Sequence, residues 1–302
     1  MSGEPLVSIL IPAYHERFFA EALTSARAQA YPALEIVVLD DSAGDGIERC
    51  VHDARDERVR YLRNPRRLGF HGNFTAAFLQ ARGEFIKFLN DDDRLLPDCV
   101  AVLANFLRLN AGVTLATSRR FVIDSEGVRQ SDLVVNQPLS HVTAFIPGAE
   151  LGNFVLMNMM NLIGEPTTVM FRRRDVVLEP GGLFRWGGDD YHCLADLSLW
   201  LRLLARGAAF YCAQGLSEFR VHSGQEQGAT IGVRLECVLE RRRIAWRARE
   251  AGFLSRPDQL VSALRAAHAF AAANDLAEVS PQLAERLRSE MRALDEEIAG
   301  AA

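Results

Sequence analysis

Residues 85–98 read "FIKFLNDDDRLLPD". The apolar run from Phe85 to Leu89 stops at Asn90 and three consecutive aspartates, Asp91, Asp92 and Asp93, with Pro97 four residues further on. A short apolar run bounded in this way predicts a buried strand. Three like charges at its end repel one another unless something holds them. In a parallel sheet covered by helices, ligands bind beyond the carboxyl ends of the strands, where the loops gather. Clustered carboxylates at that position are accounted for by a bound cation. Read alone, they suit equally well a solvated helix entry, with Asp93 or a neighbour as cap.

The segments on either side fix the class of fold. "LVSILIP" (6–12) and "LEIVVLD" (34–40) predict two further buried strands and "VRYL" (59–62) a weaker one. Between them, "EALTSARAQA" (21–30), "NFTAAFLQA" (73–81) and "CVAVLANFLRL" (99–109) have helical composition, whereas "DSAGDG" reads as a turn. Continuous apolar strands alternating with helices predict an α/β fold with a mostly parallel, Rossmann-like sheet covered on both faces. From 113 onward a hairpin turns at Ser125–Gly127, and 136–165 is a partly helical excursion. "TTVMFRR" (167–173) is a strand, 178–191 a glycine-rich loop, and "CLADLSLWLRLLARG" (193–207) a helix with a glycine stop. "AAFYCA" and "LSEFRVH" predict two strands, and the Ala-, Arg-, Glu- and Leu-rich remainder is helical.

At 302 residues the chain suits one large α/β domain with an appendage. Its net charge of −5 argues against nucleic acid, which is normally met by a basic field. The five cysteines are scattered, odd in number and without a CxxC pair, which excludes a zinc ribbon. They predict buried free thiols in a reducing cytosol rather than disulfides. No apolar run approaches the ~18–20 residues of a membrane span, and the N-terminus lacks a signal-peptide pattern. The expectation is a soluble, cytoplasmic protein without a transmembrane segment.

Five ordered segments line up: "VSILIPAYHE", "PALEIVVLDDSAGDG", "RNPRRLGFHGNFTAAFLQARGEFIKFLNDDDRLLPD", "ADLSLWLRL" and "FRVHSG". Together they resemble the family-2 glycosyltransferases of the GT-A fold over residues 5–223, and the last 80 residues lie outside the resemblance. It implies an inverting transferase that uses a nucleotide-sugar donor, with a divalent cation, Mn²⁺ or Mg²⁺, as cofactor. It implies a glycosyltransferase domain over 1–230, divided into a nucleotide-sugar half (1–112) and an acceptor half (113–230), followed by a helical extension (231–302).

By position in that pattern, Pro12, Ala13, Tyr14 and Glu16 form the first part of the donor pocket. Asp41 is the residue that reads a pyrimidine base, so the donor is a UDP- or dTDP-sugar. Asn73 and Arg67 line the same pocket, although Asn73 also suits a helix N-cap and Asp40–Asp41 a turn-initiating pair. The family motif is usually Asp-x-Asp. Here Asn90 stands at its first position, Asp91 at the variable one and Asp92 at the metal-ligating last one, which leaves Asp91 to the ribose or to water. His222 falls near the metal and diphosphate, with Arg220 as a candidate for bidentate diphosphate contact. Asp196 occupies the position of the general base, with Ala195 in place of the usual acidic neighbour; Asp189 and Asp190 are further acids that the acceptor could meet.

Departures at Asn90 and Ala195 keep an alternative open: a catalytically inactive GT-A-like module for carbohydrate binding or assembly. A nucleotidyltransferase would want a glycine-rich basic loop after the first strand, and "PAYHERFF" has none. The acceptor is a hydroxyl on a glycan, lipid-linked sugar, protein or small molecule. The basic stripe in "RLECVLERRRIAWRAREAGF" (234–253) suits peripheral contact with an anionic membrane or a docked, solvated face, and the C-terminal helices could pair two subunits.

Overall fold

The apolar runs become neighbouring strands. The computed structural model describes residues 3–223, 231–273 and 281–301. Strands β1 (Val7–Ala13), β2 (Leu34–Asp40), β3 (Val59–Arg63) and β4 (Phe85–Phe88) are parallel in the order β3-β2-β1-β4. Every residue of β1 and β2 is buried, because alternate side chains enter two different cores. Val7, Ile9 and Ile11 join Ile36 and Val38 beneath helices α1 (Phe19–Arg27) and α2 (Gly46–Ala54). Leu10, Val37 and Leu39 face the other way, toward α3 (Gly69–Gln80).

The second half extends the sheet with mixed directions. After β5 (Arg94–Leu95) and α4 (Cys99–Leu109) come β6 (Val113–Ile123), β7 (Arg129–Gln130), β8 (Ala144–Ile146), α5 (Gly148–Asn158) and β9 (Met170–Arg172). A two-stranded hairpin, β10 (Arg185–Trp186) and β11 (Asp189–Asp190), precedes α6 (Ala195–Leu204) and β12 (Ala208–Arg220). Strand β9 is antiparallel to both β4 and β6, so β6 runs in the direction of β4, and β12 is parallel to β6. The carboxyl ends of β1, β2, β4, β6 and β12 therefore open onto one edge of the sheet. Helices α7 (Ile231–Glu250), α8 (Pro257–Ala272) and α9 (Pro281–Ala301) follow. Helix α8 sends Leu260, Ala263, Leu264 and Ala267 into the core shared with α5 and α6.

Several local expectations change. Helix α2 follows the stretch read as a turn, beginning at its last residue, Gly46, and was not expected from the sequence. Helix α3 begins at Gly69, so Asn73 lies inside it and the position before it is Leu68; the N-cap reading of Asn73 is corrected. The two strands expected around 208–222 are one strand, β12, with register shifts at Ala208/Ala209, Cys212/Gly215 and Gly215/Ser217. The expectation of free thiols alone is also corrected. Cys193 and Cys237, 44 residues apart in sequence, form a disulfide with a Cα–Cα separation of 5.3 Å, because α7 lies against the entry to α6. Cys50, Cys99 and Cys212 are free, and Cys50 is only partly buried.

Candidate active site

The three aspartates after β4 do not share one site. Each carboxylate points to a different partner, yet the charge of Asp92 still pushes up the carboxyls of both neighbours. Asp91 is buried, and its Oδ2 accepts the backbone N–H groups of Tyr14 (2.6 Å) and His15 (2.7 Å), so it fixes the loop leaving β1. Burial pushes its carboxyl up to about 6, against the pull of those two N–H groups. Asp93 is fully buried: Oδ2 accepts from Thr167 Oγ1 (2.6 Å) and Asn90 Nδ2 (3.1 Å), and Oδ1 from the N–H of Arg220 (2.9 Å). Burial, with the charge of Asp92 second, holds its carboxyl well above the usual range. Asp92 turns to His222, whose Nε2 lies 3.1 Å from its Oδ2.

The topology explains that last contact. His222 follows β12 and Asp92 follows β4, strands that run the same way and end on the same edge. His222 is held by the ring of Phe18 at 4.9 Å between centroids. An oxygen and a ring nitrogen at this spacing are donors of the kind a divalent cation accepts. Among the described residues there is no group of three or more such side chains.

Arg220 has a structural role in place of the expected diphosphate contact. It is fully buried over the ring of Phe18, with Nε donating to the carbonyl of Asp92 (2.7 Å) and Nη1 to those of Asp124 (3.1 Å) and Ser125 (3.3 Å). Its Nη2 pairs with Glu21 Oε2 at 2.6 Å. The Glu21 carboxylate is half exposed and can be met by water, but the carbonyls of Asp92, Asp124 and Ser125 lose their donor. Arg220→Ala is expected to lower stability by about 1–3 kcal/mol, measured by urea unfolding.

The residues placed by sequence in a donor pocket surround the ends of β1 and β2. Pro12 and Ala13 are the last, buried residues of β1, paired with Leu39 and Asp40. Asn73 Nδ2 donates to the carbonyls of Ala13 (3.3 Å) and Leu39 (3.1 Å), tying the two strand ends together. Asp41 accepts from Asn64 Nδ2 (2.8 Å) and from the N–H groups of Leu68 (2.8 Å) and Gly69 (2.8 Å), so it organises the loop entering α3. That loop brings the Arg67 guanidinium to 4.4 Å from the centre of the Tyr14 ring. Glu16 turns away from these residues, toward the N-terminus of α2, where Gly46 N–H donates to Oε1 at 3.2 Å. A Cβ on Gly46 would lie 2.1 Å from Glu16 Oε2, so a larger residue there would displace the Glu16 carboxylate.

Asp196 sits in the first turn of α6 and is partly buried. Its Oδ1 accepts the Leu197 N–H (2.7 Å) and its Oδ2 accepts from Asn161 Nδ2 (2.8 Å). Loss of hydration pushes its carboxyl up to about 6, outweighing those two bonds, and the nearby charge of Glu165 adds to the rise. Asp189 and Asp190 are engaged elsewhere: Asp189 with Arg247 at 3.4 Å, Asp190 with Arg185 at 3.7 Å. Trp200 and Leu201 are core residues with no exposed surface.

The sequence reading missed the segment joining these two regions. In "NLIGEPTT", Asn161 bonds Asp196, Glu165 pairs with buried Arg120 at 2.8 Å, and Thr167 bonds Asp93. Gly164, with φ of 120°, accepts from Trp200 Nε1 at 2.9 Å. Polar residues around a Gly and a Pro, set between apolar runs, were the available signal.

Three arginines of the basic stripe are engaged by neighbouring helices and loops, while Arg243 is exposed. Arg242 pairs with Glu290 and Glu297, Arg247 with Asp189 and Glu250, and Arg241 lies over the Phe270 ring at 3.6 Å. The stripe is a face along which the helices dock. Among the described residues, no helix is long and apolar enough to cross a membrane.

Comparison with known proteins agrees with this architecture. The family described as glycosyl transferase family 2 matches residues 8–176. An uncharacterized protein of Mycobacterium tuberculosis is 33% identical over 253 residues, 80% of this chain and 75% of that one. The GalNAc(5)-diNAcBac-PP-undecaprenol beta-1,3-glucosyltransferase of Campylobacter jejuni is 34% identical over 103 residues, 33% of each chain. Among solved structures, S. aureus TarS 1–349 superimposes with a TM-score of 0.68 at 14% identity, covering 98% of this chain and 83% of that one; it has also been solved with UDP-GlcNAc. A mannosyltransferase of Pyrobaculum calidifontis, solved with GDP-Man and Mn²⁺, gives a TM-score of 0.51 at 17% identity over 97% of this chain and 81% of that one. With a family match over more than half its length and a relative aligned over most of it, this chain belongs to glycosyl transferase family 2 and has the GT-A type of fold.

Proposed function

We propose that this protein is a metal-dependent, inverting glycosyltransferase that moves a sugar from a UDP- or dTDP-linked donor to an acceptor hydroxyl, with Asp196 as general base. The observation that carries the reading is the Asp92–His222 pair at the edge where the strand ends meet, whose neighbour Asp93 is bonded by the 161–168 segment that also holds Asp196, a carboxylate raised to about 6. The donor set fits a cation: two protein ligands, one of them a carboxylate, leave positions for diphosphate oxygens and water, as Mg²⁺ and Mn²⁺ prefer. Such a cation, when bound, offsets the charge that grows on the leaving diphosphate.

The other steps belong to the chain. Asp91 and Asn73 hold the β1 and β2 loops that shape the donor pocket, Asp41 orders the 64–69 loop, and the Tyr14–Arg67 stack forms one wall. Asp196 takes the acceptor proton as the new C–O bond forms. A carboxylate near 6 is ionised at neutral pH yet more basic than an ordinary aspartate, which suits that task. The names of the Campylobacter relative and of an Escherichia coli glucosyltransferase 28% identical over 133 residues, 44% of this chain and 50% of that one, support a glycan or glycoconjugate acceptor.

Thermal stabilisation and donor hydrolysis across UDP-, dTDP- and GDP-sugars, with Mn²⁺ and then EDTA, test the reading. Stabilisation and hydrolysis by a uridine or thymidine nucleotide sugar, lost in EDTA, is the expected result. Absence of any effect from every nucleotide would overturn it.

A further inference from the structure

We propose that α7, in the C-terminal extension, is a splint that sets the position of the α6 N-terminus, with Glu240 as a positioning residue and the Cys193–Cys237 disulfide as its covalent anchor. The inference rests on Asp196 being the base.

Cys237, Glu240, Arg243 and Arg247 are spaced three, three and four residues apart, which puts them on one face of a helix. Each meets the segment before α6, in reverse chain order. Cys237 is bonded to Cys193. Glu240 accepts three successive backbone N–H groups, those of His192 (2.7 Å), Cys193 (2.9 Å) and Leu194 (2.9 Å). Arg243 lies 4.0 Å from Asp189, and Arg247 donates to the Gly187 carbonyl at 3.0 Å.

Glu240 has no exposed surface, and a buried carboxylate is costly unless its acceptors are filled. These three N–H groups fill them. The residue before α6, Leu194, supplies no side-chain cap, and Glu240 holds the backbone that leads into the helix, up to and including the Leu194 N–H. Asp196 follows two residues later. Its own bonds, to the Leu197 N–H and to Asn161, hold its direction but not the height of the helix end. That height is fixed by Glu240 and the disulfide. The Asp92–His222 pair follows β4 and β12, on elements other than those that Glu240 and the disulfide join, so a loosened splint should alter turnover and leave nucleotide binding unchanged.

The test uses full-length Glu240→Gln, Glu240→Ala and the double variant Cys193→Ser/Cys237→Ser, with Asp196→Asn in parallel. Turnover is read as hydrolysis of the nucleotide sugar that the wild type hydrolyses, per UDP-binding site counted by calorimetry. Expected is a fall in kcat of about tenfold or more, within the ~100-fold that a misplacement of 1 Å can cause. UDP affinity should be unaltered, and Glu240→Gln, which keeps one accepting oxygen, should lie between wild type and Glu240→Ala. A merely stabilising contact would lower the unfolding temperature and the number of binding sites but not kcat per site. That result, with Asp196→Asn inactive, overturns the splint alone. Normal turnover in Asp196→Asn overturns the base assignment and the splint with it. Should Glu240→Ala not fold, Glu240→Gln and the serine pair decide.

Discussion

Asp196→Asn should lower glycosyl transfer by about 10²–10⁴-fold, the range that a positioned general base contributes, while leaving nucleotide affinity unchanged. The amide keeps the shape and one accepting oxygen, which can serve either the Leu197 N–H or Asn161 Nδ2 but not both, and it has no basic oxygen for the acceptor proton. With Asp196 as base, the same carboxyl should set the acid limb of the pH profile. Because burial raises it to about 6, Asp196 is protonated below that pH and cannot act. Transfer is therefore expected to fall by about tenfold per pH unit below roughly pH 6 and to level off above it. Initial rates of nucleoside diphosphate release across pH 4.5–8 (roughly two units either side of the expected midpoint) check both points. A profile identical in wild type and Asp196→Asn would remove Asp196 from the chemistry.

Asp92→Ala should abolish metal-dependent nucleotide binding. At a free nucleotide concentration near 100 times Kd, binding stabilises the folded state by about 2.7 kcal/mol. That increment should appear in the wild type with Mn²⁺, vanish in EDTA, and be missing from Asp92→Ala at any Mn²⁺ concentration. The folded state itself should survive, since Asp92 is partly exposed and its backbone carbonyl, the acceptor for Arg220, remains. Thermal unfolding with and without UDP measures both quantities. Persistence of the Mn²⁺-dependent shift in the variant would place the cation elsewhere.

The strands were the most legible part of the sequence, because strands buried on both faces must be apolar throughout. "LEIVVLD" marks β2 to the residue, and "CVAVLANFLRL" marks α4 equally well. What failed was information that the chain carries only in three dimensions. Strand β9 is three residues long, and its two antiparallel pairings give no local signal, yet they set β6, and β12 beside it, in the direction of β4 so that all three end on one edge. Helix α2 starts at Gly46, and helix propensity reads that glycine as a break. The Asp-rich motif identified the right edge of the sheet but not the division of labour, since which aspartate turns inward depends on Thr167 and Arg220, 74 and 127 residues away. The disulfide was obscured for a similar reason: cysteine spacing says nothing about which helix returns to lie beside which loop.

Crystals grown with UDP and Mn²⁺ and recorded at the manganese absorption edge would test the central assignment most directly. The account predicts one anomalous peak within about 2–2.5 Å of an Asp92 carboxylate oxygen and the His222 ring nitrogen, with the diphosphate on its open side. A manganese peak away from both residues, with Asp92 and His222 still in contact with each other, would contradict it.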